Sequence, residues 1–180
     1  MEAAMESCVA LIRGINVGKA KRLAMADLRR MAEALGAESV ATVLNSGNLA
    51  CRHRSAPRLA AGLEAAIVRD CGFSARALAL GGAELEAIAA GNPYADLAAD
   101  PARLLVAFPL EPSALADCAG VAYDKAGPER LHAGDGAAYL WCADGLRDSP
   151  LAAAFAKRLG ERFTIRNWAT TLKLLQALPR

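Results

Sequence analysis

The chain has 180 residues, 54% hydrophobic and 22% charged, with a formal net charge of +2. These values suit a globular protein of one or two domains, and the charge is too close to zero to argue for nucleic acid on bulk electrostatics. No leader-like stretch opens the sequence and no apolar span reaches about 18 residues, which argues against secretion and against a membrane span.

In chain order, residues 8–12 (Cys-Val-Ala-Leu-Ile) read as a short buried strand. A basic, glycine-rich loop follows, and then Leu28, Met31, Ala32 and Leu35 recur at helical spacing before Gly36. Residues 39–44 are β-prone, Asn45-Ser46-Gly47-Asn48 is a turn signal, and a further strand is expected near 49–53. Ser55 and Pro57 open a helix with Leu59, Leu63 and Ile67 in line, closed by Gly72. A strand over 76–80 and a short helix through Leu85 and Ile88 complete the first half, which reads βαββαβ plus a helix.

Residues 91–101 look like a linker, and the order then repeats. Strands are expected at 104–108, 129–132, 137–142 and 162–166, with a further strand at 119–124. Helices are expected from Pro112 to about Asp117, from Ser149 to Gly160 and from Asn167 onward. The fold class that follows is α+β, with two tandem ferredoxin-like (βαββαβ) domains, each with an extra C-terminal helix. The boundaries are 1–92, a linker at 93–101, and 102–180.

The five cysteines stand at 8, 51, 71, 118 and 142, an odd number with no metal-knuckle or CxxC spacing. A reducing cytosol fits them, so the expected location is cytoplasmic. No cofactor and no metal site is expected.

Charge is unevenly spread. Residues 13–30 hold six basic groups against Asp27 alone. Within Arg13-Gly14-Ile15-Asn16-Val17-Gly18-Lys19-Ala20-Lys21-Arg22, the residues Gly14, Asn16 and Gly18 take positive φ cheaply and can turn backbone N–H groups outward. Arg13, Lys19, Lys21 and Arg22 surround that turn, which makes an anion nest; a tight strand-to-helix connection with solvated lysines would use the same residues. It is not a Walker loop, because only three residues separate Gly14 from Gly18-Lys19 and Ala20 replaces the hydroxyl residue that binds magnesium.

Asn45, Ser46, Gly47 and Asn48 suit a hairpin turn, and a ligand role there rests on their expected position beside the basic loop. Ser46 has no spacing link to His53 or His132 that would make it a nucleophile. Asn167 suits an N-cap and Trp168 suits the core, while Arg166 beside a helix N-terminus can hold an anion.

The motifs Arg13-Gly14-Ile15-Asn16-Val17-Gly18, Leu44-Asn45-Ser46-Gly47-Asn48, Asn92-Pro93 and Thr164 to Leu174, in this order, resemble the bacterial domain-of-unknown-function 1697 family. The resemblance covers nearly the whole chain. It implies the two ferredoxin-like domains that the pattern also suggests, and no established activity, since the family itself is uncharacterised. Ala169 stands where a polar residue, usually asparagine, is expected after the tryptophan.

The leading functional expectation is non-catalytic binding of an anionic ligand at 13–22: a nucleotide, a phosphorylated metabolite or a nucleic-acid backbone. The rivals are an enzyme acting on a phosphorylated or carboxylated metabolite in an interdomain cleft, and a homo-oligomeric interaction module. Aromatics make up only 5% and no RNP pattern lies on the expected strands, which counts against sequence-specific RNA recognition. The topology makes one geometric prediction: the loop 14–22 and the turn 45–48 lie side by side, and finding them at opposite ends of the first sheet would sink the composite site.

Overall fold

The computed structural model of the chain describes residues 4–97 and 99–180. The chain divides into two compact units, one running to Leu85 and taking in Lys173–Arg180, the other Glu86–Leu172. Among the described residues, no helix is long and apolar enough to cross a membrane.

The first unit runs β1 (Glu6–Ile12), α1 (Met25–Ala34), β2 (Glu38–Val43), β3 (Asn48–His53), α2 (Ala56–Cys71) and β4 (Ala77–Gly81), after which α3 (Gly82–Ala90) begins. Its four strands form one sheet in the order β2-β3-β1-β4, with every neighbouring pair antiparallel. The run Cys8 to Ile12 is buried throughout, as a strand paired on both sides requires. Cys8, Ala10, Ile12, Leu49 and Cys51 from the sheet form one core with Leu28 and Met31 of α1 and Leu59, Leu63 and Ile67 of α2. Helix α2 has both expected ends: Ser55 Oγ accepts from the Arg58 N–H at 3.4 Å, and Gly72 closes the helix at φ +74°. Gly62 lets the helices approach, since a Cβ there would come within 2.7 Å of Leu35 Cδ2.

The second unit carries β5 (Leu104–Pro109), β6 (Arg130–Ala133), β7 (Ala138–Trp141), α4 (Pro150–Leu159), β8 (Phe163–Asn167) and the start of α5 (Trp168–Ala177). Its sheet has the order β6-β7-β5-β8, again antiparallel throughout. Leu151, Phe155 and Leu159 of α4 pack on Leu105, Ala107, Ala138 and Leu140. Phe155 meets Phe163 edge-on at 5.1 Å between ring centroids. Thus the α+β class holds, with two four-stranded antiparallel sheets.

Two expectations need correction in this unit. The segment 119–124 is not a strand: it finishes a 3-10 helix, Pro112–Gly120, and continues as irregular chain. The pairing it was to make is closed to it, because β7 already has β6 on one side and β5 on the other. The helix expected at 112–117 is that tighter 3-10 form. Helix α4 runs between the expected ends, Ser149 as N-cap and Gly160 as C-cap, with Gly160 right-handed at φ −55° and leading into a 3-10 turn. In the expected linker the described residues form turns, including a short 3-10 turn at Ala95–Leu97; residue 98 lies outside the described residues.

Leu63 is fully buried in the first core, so Leu63→Ala should cost about 2–5 kcal/mol. Val68, on the same helix but 52% exposed, should change stability by about 0.5 kcal/mol or less on substitution by alanine. Urea midpoints of the two variants check the packing, and equal shifts would contradict it.

Candidate functional site

Register brings the two Gly/Asn segments together. In the β1–β3 pair, Leu11 lies opposite Asn48, so the chain leaving β1 meets the chain entering β3. The Ile12 N–H donates to Gly47 O at 2.7 Å and extends this ladder into the turn. On the other side, the Arg13 N–H donates to Arg76 O at 2.8 Å. The expected adjacency of loop and turn is therefore present.

Asn16 fastens the loop to the turn. Its backbone is left-handed at φ +57°, a conformation asparagine tolerates better than most residues. Its Nδ2 donates to Leu23 O at 2.8 Å and to Asn45 O at 2.7 Å, while Oδ1 accepts from the Leu23 N–H at 2.9 Å. The Asn16 N–H also donates to Lys21 O at 3.1 Å, closing the loop on itself. Lys21 is left-handed too, at φ +52°, and its ammonium donates to Ser74 O at 3.1 Å. Asn48 is fully buried, and its Nδ2 donates to Val43 O at 3.0 Å and to Ser46 Oγ at 2.9 Å. These polar side chains thus build the junction.

Beside the junction lies a shallow depression of about 400 Å³, lined by Asn16, Arg22, Leu23, Ala24, Met25 and Asn45. Arg22 is exposed and is the only cation in that lining. Helix α1 starts at the same place, and no side chain caps it, because Ala24 occupies the N-cap position. The bonds to Ala24 O begin with the N–H groups of Asp27 and Leu28, so those of Met25 and Ala26 have no partner within the helix. A helix start adds about half a positive charge to these free donors. The arrangement can accept a phosphate or carboxylate oxygen next to an apolar wall. Lys19 is exposed in the same loop, and Gly14 and Gly18 carry the expected positive φ, +72° and +66°.

The other expected residues sit in the second unit. Arg166 is half-buried on β8, where its guanidinium donates to Thr164 Oγ1 at 3.1 Å and to Ile165 O at 2.9 Å. Burial lowers its pKa to about 10, which leaves it a cation at neutral pH. Asn167 Oδ1 accepts from the Thr170 N–H at 2.9 Å and caps α5, and Trp168 is packed to 8% exposure. His53 is engaged with backbone, its ring nitrogens lying 2.8 Å from Ser55 O and 3.1 Å from Leu35 O. Among the described residues, no group of three or more His, Cys, Asp or Glu side chains could hold a metal ion.

The helical spacing of Leu28, Met31, Ala32 and Leu35 does not by itself mark the open helix start at Ala24 and Met25. The signal was present as the lack of Ser, Thr, Asp or Asn before the first helical residue.

A family model described as a protein of unknown function, DUF1697, matches residues 5–139, a range that contains loop and turn and stops before Arg166. Among solved structures, a conserved bacterial protein from Streptococcus pneumoniae is similar, with 26% identity and a TM-score of 0.79 over 97% of this chain and 99% of that one. No curated protein matches the chain.

Asn16→Ala should destabilise the protein by about 1–3 kcal/mol, since it strips three hydrogen bonds from the junction and removes the residue best suited to this φ. Gly47→Ala should cost as much or more: φ is +79°, and a Cβ would lie 2.8 Å from Ile15 Cδ1 and 2.9 Å from Ile12 Cβ. Gly18→Ala meets open space, so it carries backbone strain alone, about 1 kcal/mol. Chemical denaturation of the three should rank Gly18→Ala mildest, and any other order would contradict the junction described.

Proposed function

The chain belongs to the DUF1697 family, and we propose that it is a binding protein for a small anionic ligand, held at the start of α1 beside the 13–22 loop. The observation that carries this reading is the shared depression, which joins the Arg22 cation to an uncapped helix start. Its lining includes no carboxylate, histidine or thiol, which favours binding over acid–base or nucleophilic chemistry. Leu23 and Met25 in the wall favour a ligand with an apolar part next to its phosphate or carboxylate, such as a mononucleotide or a phosphorylated metabolite.

In this reading the chain carries two ferredoxin-like domains, 1–92 and 102–180, joined through 93–101. The strand orders β2-β3-β1-β4 and β6-β7-β5-β8 support it, being the order in which a split βαβ arrangement interleaves its strands. Five free cysteines support a reducing cytosol as its compartment.

Isothermal titration with inorganic phosphate and with a mononucleotide tests the site. Arg22→Ala should weaken the tighter of the two by about tenfold or more, since a charge-assisted contact contributes about 1.5–3 kcal/mol. Met25→Pro should weaken it as well by deleting one backbone donor. The variant keeps the helix, because proline suits this position and Ala24 already has the extended conformation, φ −68° and ψ 141°, that a following proline demands. Unchanged affinity in both variants, with unfolding midpoints held, would show that the loop is only a connection. Binding to single- or double-stranded nucleic acid that falls steeply with salt would instead make the ligand a phosphate backbone.

A further inference from the structure

We propose that Cys8 and Cys51 are a peroxide-oxidisable pair that closes to a cross-strand disulfide inside the first sheet. The two residues stand directly opposite each other in the β1–β3 ladder. Their Sγ atoms are 3.4 Å apart and hydrogen-bonded. Facing residues in an antiparallel ladder have Cα atoms roughly 4.5–5.5 Å apart, inside the range a disulfide spans. The bond therefore needs the sulfurs to rotate together and no change of strand register. The other three cysteines differ: Cys118 Sγ lies 3.9 Å from Ala114 O, Cys142 interacts with Ser149, and Cys71 is half-buried on α2.

Both thiols are buried, Cys8 at 2% and Cys51 at 0% exposure, so a bulky or charged oxidant is excluded and hydrogen peroxide, small and uncharged, is the matching class. One hydrogen bond joins the two sulfurs, and either can be its donor; that bond lowers the pKa of the Cys8 thiol and, with burial, raises that of Cys51. The Cys8 thiolate attacks one peroxide oxygen, the O–O bond breaks, and the departing hydroxide takes the proton released by Cys8 to leave as water. Cys8 is then a sulfenic acid. The Cys51 sulfur attacks the Cys8 sulfur, the S–O bond breaks, and the hydroxide leaves as a second water with the Cys51 proton. Two thiols are oxidised to one disulfide and one peroxide is reduced to two waters. The link would tie β1 to β3, whose ends carry the loop and the turn.

The experiment treats the full chain with hydrogen peroxide, blocks remaining thiols with N-ethylmaleimide in denaturant, and reads the peptides by mass spectrometry with and without dithiothreitol. The expected product joins the Cys8 and Cys51 peptides, is lighter by two hydrogens and is separated by dithiothreitol. Cys51→Ser should lose the joined product and leave a dimedone-reactive sulfenic acid at Cys8. Recovery of both Cys8 and Cys51 as fully blocked thiols, at a dose that oxidises Cys71, would overturn the proposal. So would a link from Cys8 to any other cysteine. The result on the unmutated chain decides the matter by itself if the variant does not fold.

Discussion

The pairing of Leu11 with Asn48 is the constraint from which the rest of the first unit follows. It places the end of a buried apolar strand against the start of another, and Asn48 is itself fully buried at that point. A buried amide without partners would be costly, so its bonds to Val43 O and Ser46 Oγ bind the turn to the register. A slip of one residue would turn Cys8, Ala10 and Ile12 away from the helices that cover them and would break these bonds as well. Strand register and turn geometry thus reinforce each other.

Polar side chains in the loop divide between two duties. The Asn16 amide has all three of its hydrogen-bonding groups engaged within the protein, and Lys21 reaches back to Ser74 O. These groups hold the loop in shape. Arg22 and Lys19 are exposed, and no side chain caps the start of α1. The bonded part of the loop therefore fixes the orientation of the exposed part, which under the proposed function would lower the ordering cost of a ligand. In the second unit the duty is structural for Asn167, which caps α5, and for Trp168, which is packed.

Much of the fold was legible because its signals are local. The apolar run 8–12, the helical stripe of Leu59, Leu63 and Ile67, and the capping pair Ser55 and Gly72 each specify an element without knowledge of its neighbours. The adjacency of loop and turn was legible too, since it follows from topology alone. What failed depends on tertiary context. Val121 and Tyr123 look β-prone, yet the strand they would pair with has both sides occupied. Pro112 correctly opens a helix, but that helix is 3-10 rather than α and lies against β5, β6 and α4. In the site, asparagine and lysine signal a ligand and a clamp equally well, and only the direction of the amide in space separates the two. The open start of α1 was legible as a missing cap, a signal carried by what Ala24 lacks.

The single bond from the Asn16 N–H to Lys21 O has a consequence for how such a site diversifies. It closes a ring around residues 17–20, and Val17, Gly18, Lys19 and Ala20 are all exposed. Everything that fastens the ring to the sheet lies at its two ends or beyond. The four residues inside form an exchangeable insert: evolution or a protein engineer can rewrite its charge and shape while the anchoring chemistry stays in place. The same scaffold can thereby present a different outer face without having to be refolded around each one.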